Sequence, residues 1–208
     1  MKVNNLSPRA LLIEFPTRKE LNLTCFRMSE FSEGPDELRK YYTPDIFIDL
    51  MSTKAGNLKY FSYWEGHNIP VKTLKEFQIV FAMDLSDREV KVLFSLSRVA
   101  QDGYVIFMQE GDEETLKHEK CHLFYHEHSE YKKQVDAITS ELPPVVATLI
   151  KSGLYKQGYT DSVLQDEIQA YTTAYYEEEW DEMFPKVTKK EITPFVKRLN
   201  DVYLQFDK

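Results

Sequence analysis

The chain has 208 residues, of which 42% are apolar and 29% charged, with a net charge of −8. Such a length carries a substantial hydrophobic core, such a composition excludes a disordered or fibrous chain, and the absence of a basic face argues against a nucleic acid partner. No apolar run approaches the roughly 18 residues of a membrane span, the N-terminal stretch lacks the apolar centre of a signal peptide, and Cys25 and Cys121 are too few for a disulfide scaffold, so a cytoplasmic protein that does not engage membranes is expected.

In chain order, ALLIEF (10–15) and LNLTCF (21–26) have the apolar runs or alternation of strands, and SEGPDE (32–37) is a turn leading into a short helix. Thr43-Pro44 predicts a helix with a capping residue and proline at its first position, ended near Gly56. The aromatic stretch YFSYWEGHNIP (60–70) holds His67 and is read as buried packing. Ser86-Asp87-Arg88-Glu89 is a capping box that starts a helix carrying Val90, Val92, Leu93 and Leu96, closed by Asp102-Gly103. GYVIFMQ (103–109) follows as a strand, and EGDEE (110–114) supplies a turn and the acidic first turn of the next helix. Further helices are predicted from Tyr131 to Leu142, from Pro143-Pro144 to Ser152 with Gly153 as the stop, and after Ser162 as cap. The acidic run Glu177, Glu178, Glu179, Asp181 and Glu182 reads as a solvated helix end. Thr188 to Glu191 is a second capping box, for a terminal helix with Ile192, Phe195, Val196, Leu199 and Val202 on one stripe. Strands and short helices first, then almost only helices, make an α+β fold; residues 1–208 are read as one domain, mixed over 1–111 and helical over 112–208.

Four of the five histidines fall in KHEKCHLFYHEH (117–128). His118, Glu119 and His122 match HExxH, which sets two histidines one above the other on a helix face where they can bind one zinc ion. With His118 at zero, His122 lies at about 40° and Glu119 at about 100°, so the carboxylate flanks the metal. There it can take a proton from a metal-bound water whose pKa is lowered to about 7, which suits amide hydrolysis.

A catalytic zinc needs a third protein ligand. His128 stands at the spacing of the third histidine in HExxHxxGxxH, but Tyr125 occupies the place of the glycine that turns the chain back; continued as helix, His128 reaches about 280°. The other candidate is Glu167, whose helical neighbours Val163, Ala170, Tyr171 and Ala174 place it on an apolar face where a carboxylate needs a cation. Asp166 has a polar flank suited to an outer-shell role.

HEKCH followed downstream by DEIQAY resembles the gluzincin branch of zincin metallopeptidases over roughly residues 112 to 176. The resemblance implies a zincin-like fold and one zinc ion per chain. His118, His122 and Glu167 are then the ligands, Glu119 the general base, and a peptide or protein the substrate. By the same analogy GYVIFMQ is expected to be the sheet edge along which an extended peptide pairs. His126, at about 80° and one turn further on, can line the cleft, bind substrate or hold an outer carboxylate, and Tyr171, Tyr175 and His67 are candidates for stabilising the oxyanion. A second reading is a catalytically silent zincin-like module that keeps the metal for binding; retention of Glu119 favours the enzyme. Delivery into another cell as an effector protease also fits the small size.

Overall fold

The structure, a computed structural model, describes residues 1–33, 43–54, 64–157, 159–175 and 177–207. The chain divides between Asp112 and Glu113 into two compact units, at the boundary where the sequence passes from mixed to helical. Among the described residues no helix is long and apolar enough to cross a membrane.

The first unit is built on a mixed four-stranded sheet of β1 (Lys2–Ser7), β2 (Ala10–Phe15), β3 (Gly66–Pro70) and β4 (Tyr104–Gln109), in the order β1-β2-β4-β3. β1 and β2 form an antiparallel hairpin, β2 runs parallel to β4 with Leu11 opposite Val105, and β3 is antiparallel to β4 with His67 opposite Phe107. The continuous apolar runs ALLIEF and YVIFMQ are thus the two central strands, as expected of strands buried on both faces. This overturns the expectation that residues 103–109 form the sheet edge. GHNIP, whose turn residues hide a strand, pairs along the far side of β4, so both edges of β4 are taken.

LNLTCF is also not a strand. It lies in α1 (Arg18–Glu33), whose Thr17 hydroxyl accepts from the Glu20 amide, and Leu21, Cys25 and Met28 form the buried stripe. Six residues of alternation do not separate a period of two from one of 3.6; the continuation to Met28 and Phe31 does. α2 (Pro44–Lys54) begins where Thr43-Pro44 predicts. The turn over 34–37, the helix end near Gly56 and the aromatic residues 60–63 lie outside the described residues. α3 (Val71–Val80) follows β3 directly, and α4 (Asp87–Ser95) starts with the predicted capping box, the Ser86 amide donating to the Glu89 carboxylate at 2.7 Å. α4 ends earlier than predicted, passing into a 3₁₀ turn at Leu96–Arg98; Val92, Leu93 and Leu96 are buried and Val90 is exposed.

The second unit is helical: α5 (Glu113–Glu127), α6 (Ser129–Ser140), α7 (Pro144–Lys156), α8 (Leu164–Thr173), α9 (Glu177–Met183) and α10 (Lys189–Phe206). α8 is central, packed by α5, α6, α7 and α10, with Ile168, Gln169, Ala170, Thr172 and Thr173 excluded from solvent. α10 starts at the predicted Thr188 capping box and buries Ile192, Leu199 and Val202. Gly153 does not stop α7. A Cβ there would come within 2.5 Å of the Phe184 ring, so the glycine admits that ring against the helix. Nor does Ser162 cap α8; its hydroxyl pairs with Thr160 and the capping position falls on Val163.

Candidate metal centre

The predicted HExxH helix forms as α5, entered through a turn in which Gly111 takes φ 79°, a left-handed conformation that costs glycine little. His118 and His122 stand one helical turn apart, and α8 packs along α5 so that its first turn presents Glu167 to them. The His118 and His122 Nε2 atoms are 3.1 Å apart, and Glu167 Oε2 lies 3.8 Å from the first and 3.6 Å from the second. Tetrahedral bonds of about 2.0–2.1 Å require ligand atoms about 3.3 Å apart, close to the triangle observed. Two imidazoles and one carboxylate are also the donor set of a hydrolytic zinc site. Among the described residues, His118, His122 and Glu167 are the group of metal-ligating side chains that converges on one point.

The outer contacts orient this group. Asp166 Oδ1 lies 3.0 Å from His122 Nδ1 and accepts from Gln169 Nε2 at 2.9 Å, while Oδ2 lies 3.2 Å from His126 Nε2. An ionised carboxylate only accepts, so His122 carries a hydrogen on Nδ1 and turns Nε2 toward His118 and Glu167. Burial alone would raise the Asp166 carboxyl, but His122, His126 and Gln169 hold it well below the usual carboxylate range. Burial alone would likewise lower His122, yet the charges of Glu167 and Asp166 raise it to about 10. His118 is lowered to about 3, by burial and then by the charge on His122. The two buried imidazoles thus face carboxylates on both sides, and His118, His122 and Glu167 could hold a cation in the place of a proton.

Glu119 is 8% exposed, and its charge acts on both His122 and Tyr159. The Tyr171 ring meets His118 edge-on at 4.6 Å, and its hydroxyl lies 3.1 Å from that of Tyr159. Burial, followed by the Glu167 charge, raises the Tyr159 hydroxyl well above its usual value, so it stays protonated. Tyr159 escapes sequence reading because it lies in the connection before α8, where no helical period reports on neighbours.

The other candidates are placed plainly. His126, nearly half exposed, holds Asp166. His128 stays outside the cluster, although not by continuing the helix as expected: α5 ends at Glu127, and His128 is extended with φ −119° and its ring against Phe124 and Phe206. Tyr125 remains helical and donates to Asp136 at 2.8 Å; no non-glycine residue among those described has positive φ, so the turn that would bring His128 back is not made. Tyr175 packs on Trp180 at 5.2 Å. His67 is buried in the first unit between Ser29 and Asn22, each 3.1 Å from a ring nitrogen. Compared with known protein families, curated proteins and solved structures, the chain matches none.

Proposed function

We propose that the chain is a zincin-type metallopeptidase of the gluzincin kind, which hydrolyses a peptide or protein substrate with one zinc ion held by His118, His122 and Glu167. The observation that carries this reading is the convergence of three ligand atoms from two helices within 3.8 Å of one another, with Glu119 buried beside them. Zinc held by these residues would supply Lewis acidity, lowering the pKa of a water to about 7 and polarising a carbonyl. Glu119 accepts the proton of the attacking water and returns it to the leaving amine. The hydroxyl pair of Tyr171 and Tyr159 is the donor group beside His118 that can meet negative charge developing on the substrate oxygen. Two buried, free cysteines fit a reducing compartment such as the cytoplasm.

Elemental analysis of protein purified without added metal, followed by zinc titration, is the first test. One zinc per chain is expected; a content far below that, with no uptake, refutes the reading. Glu119→Gln should keep the zinc and the fold and lower peptide hydrolysis by a factor of about 10² or more. Retained metal with equal turnover in both proteins removes Glu119 from the chemistry, and metal without turnover in either favours a binding module.

A further inference from the structure

Behind His122 the polar contacts continue past Asp166 into the core. The Tyr131 hydroxyl donates to Gln169 Oε1 at 2.9 Å, Gln169 Nε2 donates to Asp166 Oδ1 at 2.9 Å, and Asp166 Oδ1 lies 3.0 Å from His122 Nδ1. Tyr131 and Gln169 are both fully excluded from solvent, although they lie on different helices, α6 and α8. We propose that Gln169 and Tyr131 are positioning residues that hold Asp166, and through it the His122 imidazole, in the orientation that binds the metal. The inference rests on the metal-binding reading above and extends it to two residues that touch no ligand.

The argument is one of direction. Asp166 is acceptor only, so the Gln169 amide must turn its NH₂ toward it and its oxygen toward Tyr131. That oxygen then needs a donor, and Tyr131 can supply one. The two core bonds therefore run one way, from the Tyr131 O–H to Gln169 and from the Gln169 N–H to Asp166, and end on the carboxylate. His122 Nδ1–H meets the same carboxylate oxygen from the metal side. Reversal of the amide would set oxygen against carboxylate and push Asp166 from the position in which its Oδ1 accepts from His122 Nδ1–H, so the Gln169 amide holds in place the carboxylate that leaves His122 Nε2 facing His118 and Glu167. Conserving ligand orientation by an outer hydrogen-bond partner is typically worth about 10- to 100-fold in metal affinity. The pair also has no water to fall back on, because a buried amide that loses its partner keeps its full desolvation cost. Tyr131 is locked in turn by its ring contacts with Phe124 and Phe206, and the Cys121 and Thr173 side chains adjoin its hydroxyl.

The test is zinc affinity by chelator competition on the full chain for the wild type, Tyr131→Phe, Gln169→Met and the double variant. Tyr131→Phe should weaken zinc about 3- to 10-fold and Gln169→Met about 10-fold or more, within the range of outer-shell losses. If Tyr131 acts through Gln169, the double variant should bind zinc no more weakly than Gln169→Met alone; independent structural effects would instead add. In the zinc-loaded wild type the His122 Nδ1–H should be slow to exchange by imidazole NMR, and faster in both variants. Zinc affinities of both variants within twofold of the wild type, with only the urea midpoint changed, overturn the inference and leave the metal site standing. No zinc uptake by the wild type overturns both. Should Gln169→Met fail to fold, Tyr131→Phe decides the matter, since it keeps the ring and its packing.

Discussion

His67 should impose a pH dependence on the stability of the first unit that a glutamine in its place removes. Asn22 Nδ2 donates to the Trp64 carbonyl, so Asn22 Oδ1 faces His67 Nε2 and accepts its hydrogen, which leaves Nδ1 to accept from the Ser29 hydroxyl. Both nitrogens are satisfied in the neutral form, and burial lowers the pKa from 6.5 to about 4. Because the folded value lies below the unfolded one, the contribution is fully present above about pH 6.5, is lost as pH falls toward 4, and does not change further below that. At 1.36 kcal/mol per unit the whole loss is about 3 kcal/mol, and the part lost between pH 7 and pH 5 is about 2 kcal/mol. Urea unfolding of the wild type and His67→Gln at both pH values, with hydrogen exchange at β3 and α1 amides to localise the change, measures it. His67→Gln should be the less stable at pH 7, yet lose about 2 kcal/mol less on acidification. Equal losses in the two proteins would show that His67 already exchanges protons freely when folded, and would return it to the pool of available histidines.

Glu167→Ala should weaken zinc binding far more than His128→Ala, which should leave it nearly unchanged; chelator competition on both variants compares them, and the reverse order would require a different third ligand. Burial raises the thiols of Cys25 and Cys121, the second to about 12, so neither should react with a disulfide reagent at pH 8 until the protein unfolds, and a fast-reacting thiol in the folded protein would contradict the core packing. Gly153→Ala should destabilise the second unit by about 1–3 kcal/mol by thermal or urea unfolding, because the new methyl meets the Phe184 ring and the Met183 carbonyl; an unchanged midpoint would mean that Phe184 moves aside freely.

The candidate centre was legible because its signals are local. An i, i+4 histidine pair with a flanking glutamate needs only a helix, and Glu167 declares itself by sitting among Val163, Ala170, Tyr171 and Ala174. Asp166, one residue earlier, reads as outer-shell from the polarity of its own neighbours, and it binds His122 and His126. What failed depended on partners remote in sequence. The six residues 21–26 fit either period, β3 is a strand only because β4 offers it an edge, and Gly153 interrupts nothing because Phe184 fills the space above it. Tyr131 reaches Gln169 across 38 positions, a distance at which no spacing rule operates.

Burial of charge alone would not have distinguished the candidate metal centre, since the first unit has its own buried ionic site. Arg27 Nε and Nη2 donate to the two oxygens of Glu89 at 2.8 and 2.7 Å, Nη2 also reaches the Asp84 carbonyl at 2.9 Å, and the guanidinium lies 4.5 Å from the centre of the Phe81 ring. There a fixed cation meets acceptors in a bidentate arrangement, and the pair ties α1 to α4 with no place for an ion. At the second site the matching runs the other way. Two imidazole nitrogens and a carboxylate oxygen, all of them acceptors once His122 gives up its proton, face one point at separations of 3.1, 3.6 and 3.8 Å. Removing one partner of the first pair strands a buried charge and should cost stability, whereas the second group could take up a cation that the chain does not itself supply. The excess of convergent acceptors, more than their burial, is what separates the candidate metal cluster from the architectural pair.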